Sequence, residues 1–298
     1  MPRYFSSKHH LVVFAACMIA SENTVSAMPE DDDCLHPGPQ AIGVGLRPSH
    51  KSQAQLDEAV RKNPTSATVY LERGNGYLGS SENEKALADF NKALQLDPKC
   101  VRAYFGRYFV LSDGTSNAKA LAELKNVERI GPPDLAIDAV FIRASLYYET
   151  QRFKESEAEY TKVINSKLLS KRRQAQAYLS RGVDYDRLGK MPEAIADFSA
   201  AIKLNSNLGE AYLYRANDLR RQNKMKEAIA DYNYVAVRVE NIPEDKRIFE
   251  MDSVKEDLYR FRSDYFKQIN RPDLAKADLK KLLHAERENM EASPFQLK

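Results

Sequence analysis

Tryptophan is absent from the 298 residues, and glycine (12), histidine (5) and cysteine (3) are scarce. Few glycines, with stretches rich in Ala, Leu, Glu, Lys and Tyr outnumbering runs of Val, Ile and Thr, weigh against sheet and favour an all-α chain. The histidines, His9, His10, His36, His50 and His284, are too scattered for a metal or catalytic constellation. There is no glycine-rich phosphate loop, no paired metal-binding histidines on a helix and no nucleophile elbow, so the sequence points to no enzyme and to no cofactor. An excess of one charge is missing too. Forty-five basic against 42 acidic residues leave +3, with both signs interleaved, which argues against the concentrated positive field of a nucleic-acid surface. The basic clusters Lys171-Arg172-Arg173, Arg220-Arg221 and Lys280-Lys281 read as solvated helix ends and loops. No apolar run reaches the roughly 18 to 20 residues of a membrane anchor, so no stable membrane span is expected.

The apolar run that does occur comes at the start. MPRYFSSKHH is mildly basic, LVVFAACMIA (11–20) has the length of a signal-peptide core, and SENTVSA ends in small residues suited to cleavage after Ala27. Residues 1–27 are therefore expected to be a signal, and the mature chain to be periplasmic or secreted. Acylation at Cys17 is the weaker alternative, because Phe14 stands where a branched aliphatic is expected. Residues 28–49 read as a flexible acidic, Pro/Gly-containing linker. Within it Asp31, Asp32, Asp33, Cys34 and His36 lie close together without the paired spacing of a structural zinc site, so no metal is assigned. Loss of Cys17 leaves Cys34 and Cys100; export permits a disulfide between them, and two thiols are the alternative.

Internal repetition decides the fold. Units of 34 residues begin at Ala67, Val101, Ile137, Ala175, Gly209 and Glu256. The fourth place is Tyr70, Tyr104, Val140, Tyr178, Tyr212 or Tyr259, and the eleventh is Tyr77, Leu111, Tyr147, Tyr185, Leu219 or Phe266. The twentieth place is small (Ala86, Ala120, Ser156, Ala194, Ala228, Ala275). The twenty-fourth is large: Phe90, Leu124, Tyr160, Phe198, Tyr232, Leu279. Spacings of three, four and seven make one helical face, and turn residues such as Gly189-Lys190 and Asn223-Lys224 break it mid-unit. Each unit is thus predicted to be two antiparallel helices, brought close by a small eighth place (Gly74, Ala144, Gly182, Ala216, Ser263). Tyr108 departs from that rule and predicts a splayed or repacked second unit.

The pattern resembles the tetratricopeptide repeat family over about residues 50–289, most closely in AYLSRGVDYDRLGKMPEAIADFSAAIKL (177–204). The resemblance implies an all-α, right-handed superhelical solenoid of antiparallel helix pairs, with residues 50–63 as a cap helix and 290–298 as a flexible tail. Departures fall at the joints. Two extra residues precede Ile137, four precede Ala175, and thirteen (243–255) precede Glu256, the last expected to lengthen the next helix because Ile248, Met251 and Leu258 share a face. The family's basic clamp for C-terminal carboxylates is not carried over: its positions would be Leu71, Asn75, Asp138 and Ile142, and only Asn75 agrees.

An arginine holds the seventh place of every unit, and sixteen residues later stands an acid. The pairs are Arg73 with Asp89, Arg107 with Glu123, Arg143 with Glu159, Arg181 with Asp197, Arg215 with Asp231, and Arg262 with Asp278. In a hairpin turning near the fifteenth place, places 7 and 23 face each other. The arginines are therefore expected to be struts that fix hairpin register, not an anion-binding ladder. With places 4, 8 and 11 turned inward, a 100° step puts places 2, 6, 9 and 13 on the opposite side of the first helix. The resemblance makes that side a concave groove. Its expected contact residues are Phe109, Ile142, Val183, Tyr214 and Phe261, with Asn75 and Asn217 among their polar neighbours.

These expectations describe an exported, non-enzymatic scaffold that binds a protein or peptide partner, extended or helical. The rival reading is an enzyme or accessory component of envelope metabolism with a glycan groove, faintly suggested by Tyr214 and Asp264. Asp184-Tyr185-Asp186 resembles the aspartate pairs of sugar-nucleotide enzymes, but it lies within a predicted helix. Oligomeric state is not legible.

Overall fold

The computed structural model describes residues 51–112, 116–240 and 249–292, with side chains for 51–112, 116–237 and 258–283. The signal, the linker with Cys34, and 293–298 lie outside the described residues. Among the described residues there are helices and no strands. We number the helices α1 (Gln53–Lys62), α2 (Ala67–Gly79), α3 (Asn83–Leu96), α4 (Val101–Leu111), α5 (Asn117–Ile130), α6 (Pro133–Glu149) and α7 (Phe153–Asn165). Then follow α8 (Lys171–Arg187), α9 (Met191–Leu204), α10 (Gly209–Arg221), α11 (Met225–Glu240), α12 (Phe249–Gln268) and α13 (Pro272–Ala292). The chain divides into two compact units, 1–184 and 185–298.

The first unit opens with α1, started by a capping box in which Ser52 and Gln55 satisfy each other's backbone N–H groups. Three hairpins follow, α2/α3, α4/α5 and α6/α7, and then most of α8. Three apolar clusters run along it, each drawing on one hairpin and the next first helix. The second unit begins within α8 and continues through α9, the hairpin α10/α11 and the hairpin α12/α13, around one cluster that includes Tyr232, Leu258 and Leu282.

Helix starts depart from the 34-residue register where the sequence has extra residues. The first helices beginning at Ala67, Val101 and Gly209 start where their units start. By contrast α6, α8 and α12 start earlier than Ile137, Ala175 and Glu256, so the first two insertions lengthen helices, as do residues 249–255 of the third. Pro133 opens α6 without loss, since a first-turn N–H has no helical partner. At the far end α13 runs to Ala292, so residues 290–292 are helix and not tail.

The turns inside the units share one backbone feature. Ser81, Gln151, Gly189, Asn223 and Asn270 all occupy the fifteenth place, and all have φ between 56° and 74°. That left-handed conformation reverses the chain after the first helix, and only Gly189 adopts it without steric cost.

The small residues act where the repeat pattern puts them. Phe90 is fully buried between two glycines: a Cβ on Gly74 would come 2.7 Å from its ring, and one on Gly106 2.5 Å. The second hairpin, with Tyr108 at the eighth place, is repacked. Tyr108 is buried edge-on against Phe109, at 5.1 Å between ring centroids, and its phenol meets Ser112.

Candidate functional site

Three of the seventh-place arginines, Arg73, Arg143 and Arg215, tie three helices, not two. Arg73 grips Asp89 with two bonds, Nε to Oδ2 at 2.7 Å and Nη2 to Oδ1 at 2.8 Å, and its Nη1 donates to Asp57 of α1 at 3.1 Å. Arg215 repeats the fork on Asp231, at 2.7 Å for both bonds, and donates to Ser199 of α9 at 3.0 Å. Arg107 donates to Glu123 at 2.6 Å, and Arg262 meets Asp278 at 3.1 Å. Arg143, almost wholly buried, bridges Glu159 and Glu128 of the preceding hairpin, both at 2.6 Å. Arg181 donates to Thr161 of α7 at 3.0 Å; Asp197 is buried in the other unit.

Asp57, Thr161 and Ser199 occupy the twenty-fifth place of the preceding repeat, and sequence reasoning missed them. The signal was a recurrent short acceptor there. The two hydrogen bonds it donates to Asp89 hold the Arg73 guanidinium well above its ordinary pKa, against the opposing effect of burial.

The groove residues require correction. Ile142 and Val183 are only 7% and 6% exposed, and Asn75 is buried as well. The sixth place faces the twenty-fourth place of the preceding repeat. Gly106 lies against Phe90, and Ile142 shares a cluster with Leu124. Ser180 meets Tyr160; Tyr214 stacks on Phe198 at 5.6 Å and Phe261 on Tyr232 at 6.0 Å. A single helical wheel puts this place opposite the hairpin partner, but the neighbouring repeat covers it.

The ninth place turns the same way: Asn217 Oδ1 accepts from the Tyr232 phenol at 2.6 Å, and Ser145 pairs with the Tyr160 phenol at 2.9 Å. Where Phe90 supplies no hydroxyl, Asn75 Oδ1 is buried without a hydrogen bond. Phe109, Tyr214 and Phe261 remain half-buried, each anchored on the core with part of the ring accessible. Arg220 lies over the Phe261 ring at 3.9 Å. Cys100 is fully buried, just ahead of α4.

Carboxyl groups on the first helices stand out electrostatically. Burial raises Asp138 to about 6 even though Arg173 pairs with it. Burial alone raises Glu149 to about 7. Asp184 is pushed up to about 8, again chiefly by burial. Asp218 is raised by burial and by Asp186, against Arg221, which pairs with both. Among the described residues no three metal-ligating side chains converge, and no helix is long and apolar enough to cross a membrane.

The tetratricopeptide repeat family profile matches residues 49–99 and 179–245. Tetratricopeptide repeats are present in both of those stretches. Solved structures share the fold of this repeat protein at low identity. The C-terminal part of a repeat-containing protein from Cytophaga hutchinsonii has 16% identity and a TM-score of 0.65, over 80% of this chain and 91% of its own. PilF of Pseudomonas aeruginosa has 19% identity and a TM-score of 0.55, over 80% of this chain and 97% of its own. YrrB, described as a repeat protein with an unusual peptide-binding site, has 18% identity and a TM-score of 0.50, over 62% of this chain and 92% of its own. No curated protein matches the sequence. As a repeat fold, the chain is built as a scaffold for protein–protein interaction.

Proposed function

We propose that the chain is an exported, non-enzymatic scaffold that binds a peptide or helix along its first helices. The observation that carries this reading is Phe109, half-buried on α4 and braced edge-on by Tyr108. A ring fixed by its own core loses little freedom when a partner covers its open face, and a pre-ordered aromatic is the usual form of a binding hot spot. Tyr214 and Phe261 are held in the same manner on α10 and α12. The peptide-binding site of YrrB supports the reading by analogy of fold. Export rests on residues 1–27, and a mature N-terminus at Met28, read by mass spectrometry, is its expected signature.

The binding test uses random dodecapeptides displayed on phage and selected on the chain from Met28. Selection should enrich peptides with apolar anchors. Phe109→Ser should weaken the best of them by at least about tenfold, a loss of about 1.4 kcal/mol, while Lys92→Glu leaves affinity unchanged. Failure to enrich any peptide, or full affinity in Phe109→Ser, overturns the proposal.

A further inference from the structure

The second compact unit holds a cation that no acid neutralises among the described residues. Arg220, half-buried near the end of α10, lies over the Phe261 ring of α12 at 3.9 Å, and Phe261 in turn stacks on Tyr232 of α11 at 6.0 Å. The stack holds the guanidinium by its face. Its N–H edge is unused: among the described residues no oxygen accepts from Arg220, Nε is buried without a partner, and the two Nη groups stay accessible. A guanidinium carries five donors in one plane, so a stacked one still presents a fork to an incoming acceptor.

The acids nearby are already taken. Asp186 and Asp218 share Arg221, and Asp264, one turn beyond Phe261, pairs with Lys267 at 3.2 Å. Arg220 and Arg221 are neighbours in sequence, yet only Arg221 has an internal carboxylate. One turn before Arg220, on the same face of α10, stands the half-buried Asn217. Its Oδ1 accepts from the Tyr232 phenol at 2.6 Å, which commits the oxygen to the core and leaves the Nδ2 donors without an acceptor among the described residues. A charged donor partly withdrawn from water gains by meeting a carboxylate, and a two-pronged fit makes the match selective.

We propose that Arg220 forms a carboxylate-accepting subsite that takes an aspartate or glutamate side chain of a bound peptide, with Phe261 as its floor and the Asn217 amide as a neighbouring donor. The subsite rests on the peptide-binding reading given above, in which Phe261 is an apolar contact. It is distinct from the family's clamp for C-terminal carboxylates, whose positions here are Leu71, Asn75, Asp138 and Ile142: Arg220 and Asn217 share one helix of a later repeat. A polyanion is the poorer occupant. Asp186, Asp218 and Asp264 offset the wider positive field that a chain of phosphates needs, whereas one carboxylate needs only the fork.

The same displayed dodecapeptides test it, selected on the wild-type chain and on Arg220→Gln. Wild-type selection should fix Asp or Glu at one position beside an apolar residue. Exchanging that acid for the corresponding amide should weaken a synthetic copy of the peptide at least about tenfold on the wild-type chain, and far less on the variant. The variant should still enrich apolar anchors and lose the acidic preference. Peptides without a fixed acid, the same acid fixed by the variant, or an amide exchange without effect overturn the subsite while leaving the groove reading intact; no enrichment at all removes both. Should Arg220→Gln not fold, Arg220→Met, which covers Phe261 without a charge, takes its place with the same outcomes.

Discussion

The two compact units solve the same packing problem with opposite side chains. In the first, the large twenty-fourth-place residues Phe90 and Tyr160 meet small sixth-place partners, Gly106 and Ser180, with Leu124 against Ile142 between them as the exception. In the second, Phe198 and Tyr232 meet Tyr214 and Phe261 as stacked rings. Small against large brings backbones together and encloses whatever polar groups lie nearby, whereas ring on ring keeps helices apart and leaves ring edges accessible. The tenth place shows the consequence. Asp184 in the first unit is enclosed with no ion-pair partner, while Asp218 in the second, equally buried, is paired with Arg221.

Exchanging these solutions should have the largest effect. Gly106→Leu drives a branched side chain into the Phe90 ring, where even a Cβ has 2.5 Å, and should destabilise the chain by about 3 kcal/mol in urea unfolding. Tyr214→Ala, which only empties one side of a half-buried stack, should cost about 2 kcal/mol. Equal costs would mean that the two packing modes are equivalent.

A smaller contrast separates the acids by pH. The folded chain keeps protons on Glu149 up to about 7 and on Asp184 up to about 8, whereas unfolded carboxyls release theirs near pH 4. Unfolding therefore sheds protons between about pH 4 and 8, and these two groups make stability fall across that window and level off above it. Asp184→Asn should flatten the slope and raise stability at pH 8 by on the order of 2 kcal/mol. Arg221→Met in the second unit should do the reverse, lowering stability more at pH 8 than at pH 5, because Asp186 and Asp218 then face each other without their cation. An Asp184→Asn stability curve parallel to wild type would show that Asp184 is ionised in the fold.

The smallest effect concerns the turns. Gln151 in the first unit and Asn223 in the second both have left-handed backbone, with φ of 60° and 62°. Gln151→Gly should stabilise by about 1 kcal/mol and Asn223→Gly by less, since asparagine tolerates this conformation better than glutamine. A larger gain at Asn223 would place the strain elsewhere.

Most of the secondary structure was legible because it depends on periodicity within one segment. The 34-residue register put first helices at Ala67, Val101 and Gly209 and turns at Gly189-Lys190 and Asn223-Lys224, where they lie. The early starts of α6 and α8 were not legible, since a short insertion can extend a helix or loop out, and neighbouring packing chooses. The groove was misread for a related reason. A wheel drawn for one helix distinguishes the hairpin side from its opposite, but the sixth place packs on the previous repeat, which buries Ile142 on Leu124 and covers part of Tyr214 on Phe198.

The sequence by itself determined the helical repeat, its register and the facing of seventh-place arginine to twenty-third-place acid, because each follows from chain spacing within a hairpin. Tertiary structure alone decided which helix adds a third contact to Arg73, Arg143 and Arg215, which apolar side chains keep an open face, and which acids are desolvated. Glu149 and Asp184 are 35 residues apart in the chain, and each reads as an ordinary solvated carboxylate on its own helix. Only the packing of neighbouring helices desolvates them, and desolvation, which sets their charge, depends on everything packed around them.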